Sequence, residues 1–252
     1  MLEVNAVDTY YGSSQILHGA TLSVGEGEVV GLLGRNGMGK TTLVHTIAGL
    51  LKPRAGEITF GGRRISALSA ERISRLGMTL VPQGHRIFPS LTVRENLRIA
   101  RRRSGADGGW SIDEVLDNFP ALRERWSVGA GKLSGGQQQL LAMGRALVGN
   151  GRLMLLDEPT EGLDPQTVAR IGHIIDELRR RGTSAILVEQ KVDFTLDRVD
   201  RALILSRGKV VHETDRPQAL KADSETLHRL MGVTGHAPAD VHAPPVVRSP
   251  AT

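Results

Sequence analysis

The apolar run Val29-Val30-Gly31-Leu32-Leu33 passes directly into Gly34-Arg35-Asn36-Gly37-Met38-Gly39-Lys40-Thr41, after which Leu43, Ile47 and Leu50 recur near helical spacing. A short continuous apolar run reads as a strand buried on both faces, and the spacing after the glycines reads as a helix. The glycines between them let backbone N–H groups turn inward around an anion, and the start of the following helix adds partial positive charge. Strand, loop and helix in this order predict a phosphate cradle. Gly34, Asn36, Gly37, Gly39, Lys40, Thr41 and Thr42 are its candidate contacts, with Lys40 reaching β- and γ-phosphates and the Thr41 hydroxyl coordinating Mg²⁺.

The rest of the chain gives this unit a frame. Residues 2 to 33 alternate apolar and polar around glycines, as in Leu22-Ser23-Val24-Gly25-Glu26-Gly27-Glu28, which predicts antiparallel strands ahead of the buried one. The runs Leu153–Leu156 and Ala185–Val188 flank a helical stretch from about Pro165 to Arg181, the alternation of a parallel sheet with crossover helices. Between about Gly84 and Asn150 the strand pattern gives way to amphipathic segments, Val93 to Arg102 and Ile112 to Phe119, read as an inserted helical lobe. The expectation is one α/β domain over residues 1–234 with the lobe at about 84–150. The stretch from Gly235 to Thr252, rich in Pro and Ala, is expected to be a disordered tail.

Composition narrows the function classes. At 252 residues the chain suits one large α/β unit with an inserted lobe, not that unit plus a membrane bundle. No stretch reaches the roughly 18 to 20 apolar residues of a spanning helix, and Met1-Leu2-Glu3-Val4-Asn5 lacks a signal-peptide pattern, so the chain is read as cytosolic. The absence of cysteine excludes disulfides and thiolate metal sites. A net charge of +5 suits nucleic acid, an anionic membrane face or an anionic ligand, but an aromatic content of 3% offers bases little stacking surface. The densest basic run, Arg101-Arg102-Arg103, reads as a solvated helix end.

Two further motifs complete the pattern. Asp157 ends an apolar strand where a carboxylate could hold Mg²⁺, and Glu158 beside it is placed to polarise an attacking water. About one helix upstream lies Leu133-Ser134-Gly135-Gly136-Gln137. With these motifs the chain resembles the ATP-binding subunit of an ABC transporter, over about Val4 to about Glu213. The resemblance implies a P-loop NTPase (RecA-like) core with an antiparallel β subdomain and an inserted α-helical lobe, binding ATP and Mg²⁺. It also implies that Ser134, Gly135, Gly136 and Gln137 cap ATP held by a second ATP-binding subunit, and that Gln83 contacts Mg²⁺ and links the nucleotide to the lobe. Tyr11 occupies the position of a ring stacked on adenine, with Tyr10 adjacent, and Gly162-Leu163-Asp164 resembles the loop that crosses the dimer interface. Two membrane permease subunits, an external substrate-binding protein and a place on the cytoplasmic face of the membrane follow from the same resemblance. Nucleic acid does not.

Gln190 departs from the family pattern. After Ile186-Leu187-Val188 the family usually presents a histidine near the γ-phosphate, whereas this chain reads Glu189-Gln190. Glutamine offers an amide donor but cannot relay a proton. Lys40, Glu158 and Gln190 are therefore the candidate catalytic residues. The Glu-Gln ending resembles the paired ATP-binding subunits of branched-chain amino acid importers and the related urea and short-amide systems. Several local motifs, including Val81-Pro82-Gln83-Gly84 and Glu189 to Phe194, lean toward the urea branch. The implied function is an ATP-hydrolysing importer subunit for branched-chain amino acids, with a urea importer as the alternative. A soluble ABC ATPase acting on nucleic acid or the ribosome is the alternative of another class.

Overall fold

The computed structural model describes residues 1–84, 86–101 and 109–231. The expected tail at 235–252, and Arg102 and Arg103 of the basic run, lie outside the described residues. In chain order the first half holds β1 (Leu2–Tyr11), β2 (Ser14–Val24), β3 (Val29–Leu33), α1 (Lys40–Ile47), β4 (Ala55–Phe60), β5 (Arg63–Arg64), α2 (Ala70–Arg75) and β6 (Met78–Val81). Next among the described residues come α3 (Val93–Ala100), α4 (Ile112–Asn118), α5 (Pro120–Glu124) and α6 (Gly135–Val148). The remainder is β7 (Leu153–Asp157), α7 (Pro165–Arg180), β8 (Ser184–Val188), α8 (Val192–Leu196), β9 (Arg201–Ser206), β10 (Lys209–Thr214), α9 (Pro217–Ala222) and α10 (Ser224–Leu230).

Two sheets result. The larger runs β10-β9-β3-β8-β7-β6, parallel except for β10, and the smaller is antiparallel in the order β2-β1-β4-β5. The central strands are continuous apolar runs because both faces are covered. Val29 and Leu33 of β3 point into a core shared with α6, α7 and the lobe side chains Leu97, Val115, Phe119 and Leu122. Val30 and Leu32 point the other way, into a core built with α1, β1, β2 and β4. The same period of two runs through β7, β8 and β9. Gly31 lies where α8 crosses closely, since a Cβ there would sit 2.7 Å from Thr195 Cγ2. The phosphate loop thus leaves the middle of a rigid sheet.

The helix after that loop is shorter than its spacing predicts. It stops at Ile47, and Gly49 adopts φ 74° so that Gly49 N and Leu50 N donate to Thr46 O (3.1 Å) and His45 O (2.9 Å). Leu50 therefore lies beyond the helix, 46% exposed. Helices α3, α4 and α6 begin with reciprocal caps: Thr92 with Glu95, Ser111 with Glu114, and Ser134 with Gln137. Asn96, fully buried on α3, ties down the loop ahead of it. Its Oδ1 accepts from Phe88 N (3.0 Å), and its Nδ2 donates to the carbonyls of Phe88 (3.0 Å), Leu91 (3.3 Å) and Thr92 (3.0 Å). That loop follows Gln83, so its position is fixed to the lobe.

Candidate functional site

A cleft of about 360 Å³ opens at the carboxyl end of β3. Its walls include Asn36, Gly37, Gly39, Lys40, Thr41 and Thr42 of the loop and α1, together with Ile16, Gln83, Glu158 and Gln190. Gly37 (φ 78°) and Gly39 (φ 102°) hold a left-handed backbone that a side chain would strain. Gly34 stands behind the cleft, and its carbonyl accepts from Lys40 Nζ at 2.8 Å, so the ammonium lies within the loop.

Glu158 is the centre of the hydrogen-bond pattern. Its backbone sits at φ 50°, anchored by donation from its N–H to Val188 O at 2.9 Å. Its Oε1 lies 3.5 Å from Lys40 Nζ. Its Oε2 accepts from Gln190 Nε2 at 2.9 Å and from Gln83 Nε2 at 3.3 Å. Gln83 Nε2 also donates to Glu161 Oε2 at 2.7 Å. A cation and two amides therefore converge on one largely buried carboxylate beside the glycine loop, drawn from β6, α1 and β8 ends far apart in sequence.

Asp157 is fully buried at the end of β7. Its Oδ1 accepts from the Thr41 hydroxyl at 3.3 Å, while its Oδ2 has no hydrogen-bond partner. Burial pushes its pKa up from 3.8 to about 6, and the charges of Glu158 and Glu161 add to the rise against the opposing Thr41 and Lys40. A buried carboxylate oxygen without a donor, beside a hydroxyl, is an oxygen set of the kind Mg²⁺ takes. No group of three or more His, Cys, Asp or Glu among the described residues is arranged to hold a metal, so any ion here would share its shell with phosphate and water.

Ser134 caps α6, accepting from Gln137 N at 3.3 Å, while Gln137 Oε1 accepts from Ser134 N at 3.1 Å. Ser134 and Gly135 are exposed, and none of the residues 134–137 lines the cleft of their own chain. Tyr11 also stays off the cleft wall, 48% exposed at the β1–β2 turn. Tyr10 is committed elsewhere: its hydroxyl donates to Gln15 Oε1 at 2.8 Å, and Arg54 lies 4.1 Å over its ring. Asp164 caps α7, accepting from Gln166 N and Thr167 N, each at 3.0 Å.

Sequence reasoning missed Ile16, Glu161, Gln139 and Glu189 as parts of this neighbourhood. Gln139, buried on α6, donates from Nε2 to Pro159 O at 3.1 Å. Glu189 is buried with its carboxyl pushed up by desolvation, against hydrogen bonds from Thr160 that pull it down.

Comparison with known proteins shows which family this fold belongs to. The profile of the family described as "ABC transporter" matches residues 17–161, more than half of the chain. The chain is 43% identical over 216 residues to the high-affinity branched-chain amino acid transport ATP-binding protein BraG of Pseudomonas aeruginosa, covering 85% of this chain and 93% of BraG. It is 34% identical over 226 residues to the lipopolysaccharide export system ATP-binding protein LptB of Haemophilus influenzae, covering 88% and 93%. Among solved structures it superposes on the ATP-binding cassette MJ0796, in a dimeric post-hydrolysis state bound to ADP and Pi, with a TM-score of 0.75 and 28% identity, covering 85% of this chain and 98% of that one. With the family profile matching more than half of the chain and 43% identity to BraG over 85% of it, the chain belongs to the ABC transporter family.

Proposed function

We propose that this chain is the ATP-hydrolysing subunit that powers an importer of branched-chain amino acids. As a family member it binds and hydrolyses ATP. The observation that carries the catalytic reading is the Glu158 carboxylate, held at the mouth of the glycine loop by Lys40, Gln83 and Gln190. When ATP enters, Lys40 exchanges its contacts for the β- and γ-phosphates. Glu158 orients the attacking water and accepts its proton, and the Gln190 amide holds the geometry without taking part in proton transfer. Asp157, Thr41 and Gln83 would hold Mg²⁺, which would offset the negative charge developing on the phosphate oxygens. Ser134, Gly135, Gly136 and Gln137 serve the ATP of a second ATP-binding subunit, which suits their place off the wall of their own cleft.

The 43% identity to BraG, against 34% to LptB, supports import of branched-chain amino acids over lipopolysaccharide export, while several local motifs lean toward urea. No helix among the described residues is long and apolar enough to cross a membrane, and in this reading permease subunits supply the translocation path. A groove of about 490 Å³ between the core and the lobe suits their docking. Leu50 and Ile99, 46% and 65% exposed, rim it together with Arg86 and Arg101. In this reading the chain sits on the cytoplasmic face of the membrane with two permeases and a substrate-binding protein. Phosphate release by the purified chain, alone and with the partners that co-purify from gently solubilised membranes, tests the proposal. Glu158→Gln is expected to retain ATP binding and to lose turnover by about a hundredfold or more. Unchanged turnover would remove Glu158 from the base role, and co-purification with no membrane protein would remove the transport assignment.

A further inference from the structure

Glu189 is a fully placed carboxylate that the proposed reaction leaves unused. It is 2% exposed, at the end of β8 and one residue before Gln190. Its Oε1 accepts from Thr160 N at 2.9 Å, and its Oε2 accepts from Gln190 N at 3.3 Å. Around it the turn after Asp157 is held at each successive residue. Glu158 N donates to Val188 O (2.9 Å), Pro159 O accepts from Gln139 Nε2 (3.1 Å), and Thr160 O accepts from Lys191 Nζ (3.2 Å).

Such restraint has a physical purpose here. Glu158 sits at φ 50°, a conformation that an L residue keeps only when its surroundings impose it, and that backbone aims the carboxylate at Gln190. Burying a carboxylate is costly unless its oxygens are satisfied, and packing alone would be served better by an apolar side chain. The two Glu189 oxygens instead grip the two segments that meet at the Gln190–Glu158 hydrogen bond.

We propose that Glu189 is a positioning residue for ATP hydrolysis, strapping the Glu158–Thr160 turn to the end of β8 and so holding the Gln190 amide on the Glu158 carboxylate. This rests on the reading of Glu158 as the base. Glu189 does not touch ATP. Its effect runs through Gln190 and the Glu158 backbone, so it acts on turnover rather than on nucleotide affinity.

The test is a mutant cycle on the chain with its co-purifying partners, reading kcat, KM for MgATP and Tm. The variants are Glu189→Gln, Gln190→Ala and their double, with Glu189→Asp as the milder change and Glu158→Gln as control. Glu189→Gln keeps one acceptor but turns an amide N–H against Gln190 N. It is expected to lower kcat ten- to a hundredfold with KM within twofold, and Glu189→Asp to recover part of that loss. Adding Gln190→Ala to Glu189→Gln is expected to cost less than a further threefold, because the two act as a unit. Losses that multiply, or a fall in Tm and a rise in KM with kcat preserved, would overturn the strap while leaving the base reading intact. Full turnover in Glu158→Gln would overturn the base reading and the strap with it.

Discussion

Replacing Asp157 with asparagine should cost the metal-free chain progressively less stability as pH rises toward neutral, an unusual trend for a residue proposed to be essential. Asp157 is fully buried, with Oδ2 unpartnered and a pKa raised to about 6 from 3.8. A folded-state pKa above the unfolded value means that the protonated group contributes stability fully below about pH 3.8, and that this contribution is lost as pH rises through about 6. The rise of about two units corresponds to about 3 kcal/mol, so above pH 7 the metal-free chain carries a penalty of about that size. At pH 4.5 the same linkage leaves about 1 kcal/mol. Asparagine removes the charge but puts an amide N–H where the unpartnered oxygen stood, which costs about 1 to 3 kcal/mol at every pH. The stability of Asp157→Asn relative to the natural chain should therefore improve by about 2 kcal/mol between pH 4.5 and pH 7.5. Urea unfolding in EDTA at several pH values between these limits measures it. A difference that stays flat with pH would refute the reasoning, because it would mean that Asp157 is not titrating out of a buried, unpaired state.

Other substitutions read other parts of the structure. Gly31→Ala places a Cβ 2.7 Å from Thr195 Cγ2, so it should cost about 1 to 3 kcal/mol in urea unfolding, and Thr195→Ser should recover most of that loss by removing the offending methyl. Tyr11→Ala should weaken ATP binding by about two- to tenfold in titration calorimetry if its ring meets adenine, whereas Tyr10→Phe, which removes only the bond to Gln15, should leave binding unchanged. Burial pushes the Glu28 carboxyl up, but hydrogen bonds from Arg201 and from Gly25 N outweigh it and hold it below 4.5. Its contribution is present above the unfolded pKa and is lost as pH falls through the folded one, so the destabilisation caused by Arg201→Met should shrink on acidification below about pH 4.5, followed by thermal melts.

The elements that were legible in the sequence are those whose pattern is local. β3, β7 and β8 announce themselves as continuous apolar runs because helices or a second sheet cover both faces. The phosphate loop is legible because few chemistries need glycines, lysine and threonine in that order after a strand. The spacing of Leu50 continues the apolar stripe and reads as helix, while the backbone ends the helix through Gly49 at φ 74°. Ile16 reaches the cleft, and Glu161 the Gln83 amide, only through a hairpin and a turn that tertiary structure brings there, and no spacing encodes that. Gln137, Gln138 and Gln139 look alike in sequence, yet only Gln139 faces inward to Pro159 O, because the helix phase of α6 buries it. Asn96 reads as one polar residue on an amphipathic helix, and its four bonds to the 88–92 loop emerge only once that loop closes over it.

The central claim is that hydrolysis at Glu158 drives branched-chain amino acid uptake. Uptake of radiolabelled leucine and urea, in cells deleted for this chain and complemented with either the natural sequence or Glu158→Gln, tests it most directly. The account predicts that leucine uptake disappears on deletion, returns with the natural chain and not with Glu158→Gln, and that urea uptake is unaffected throughout. Leucine uptake that survives the deletion, or that Glu158→Gln restores in full, would contradict it.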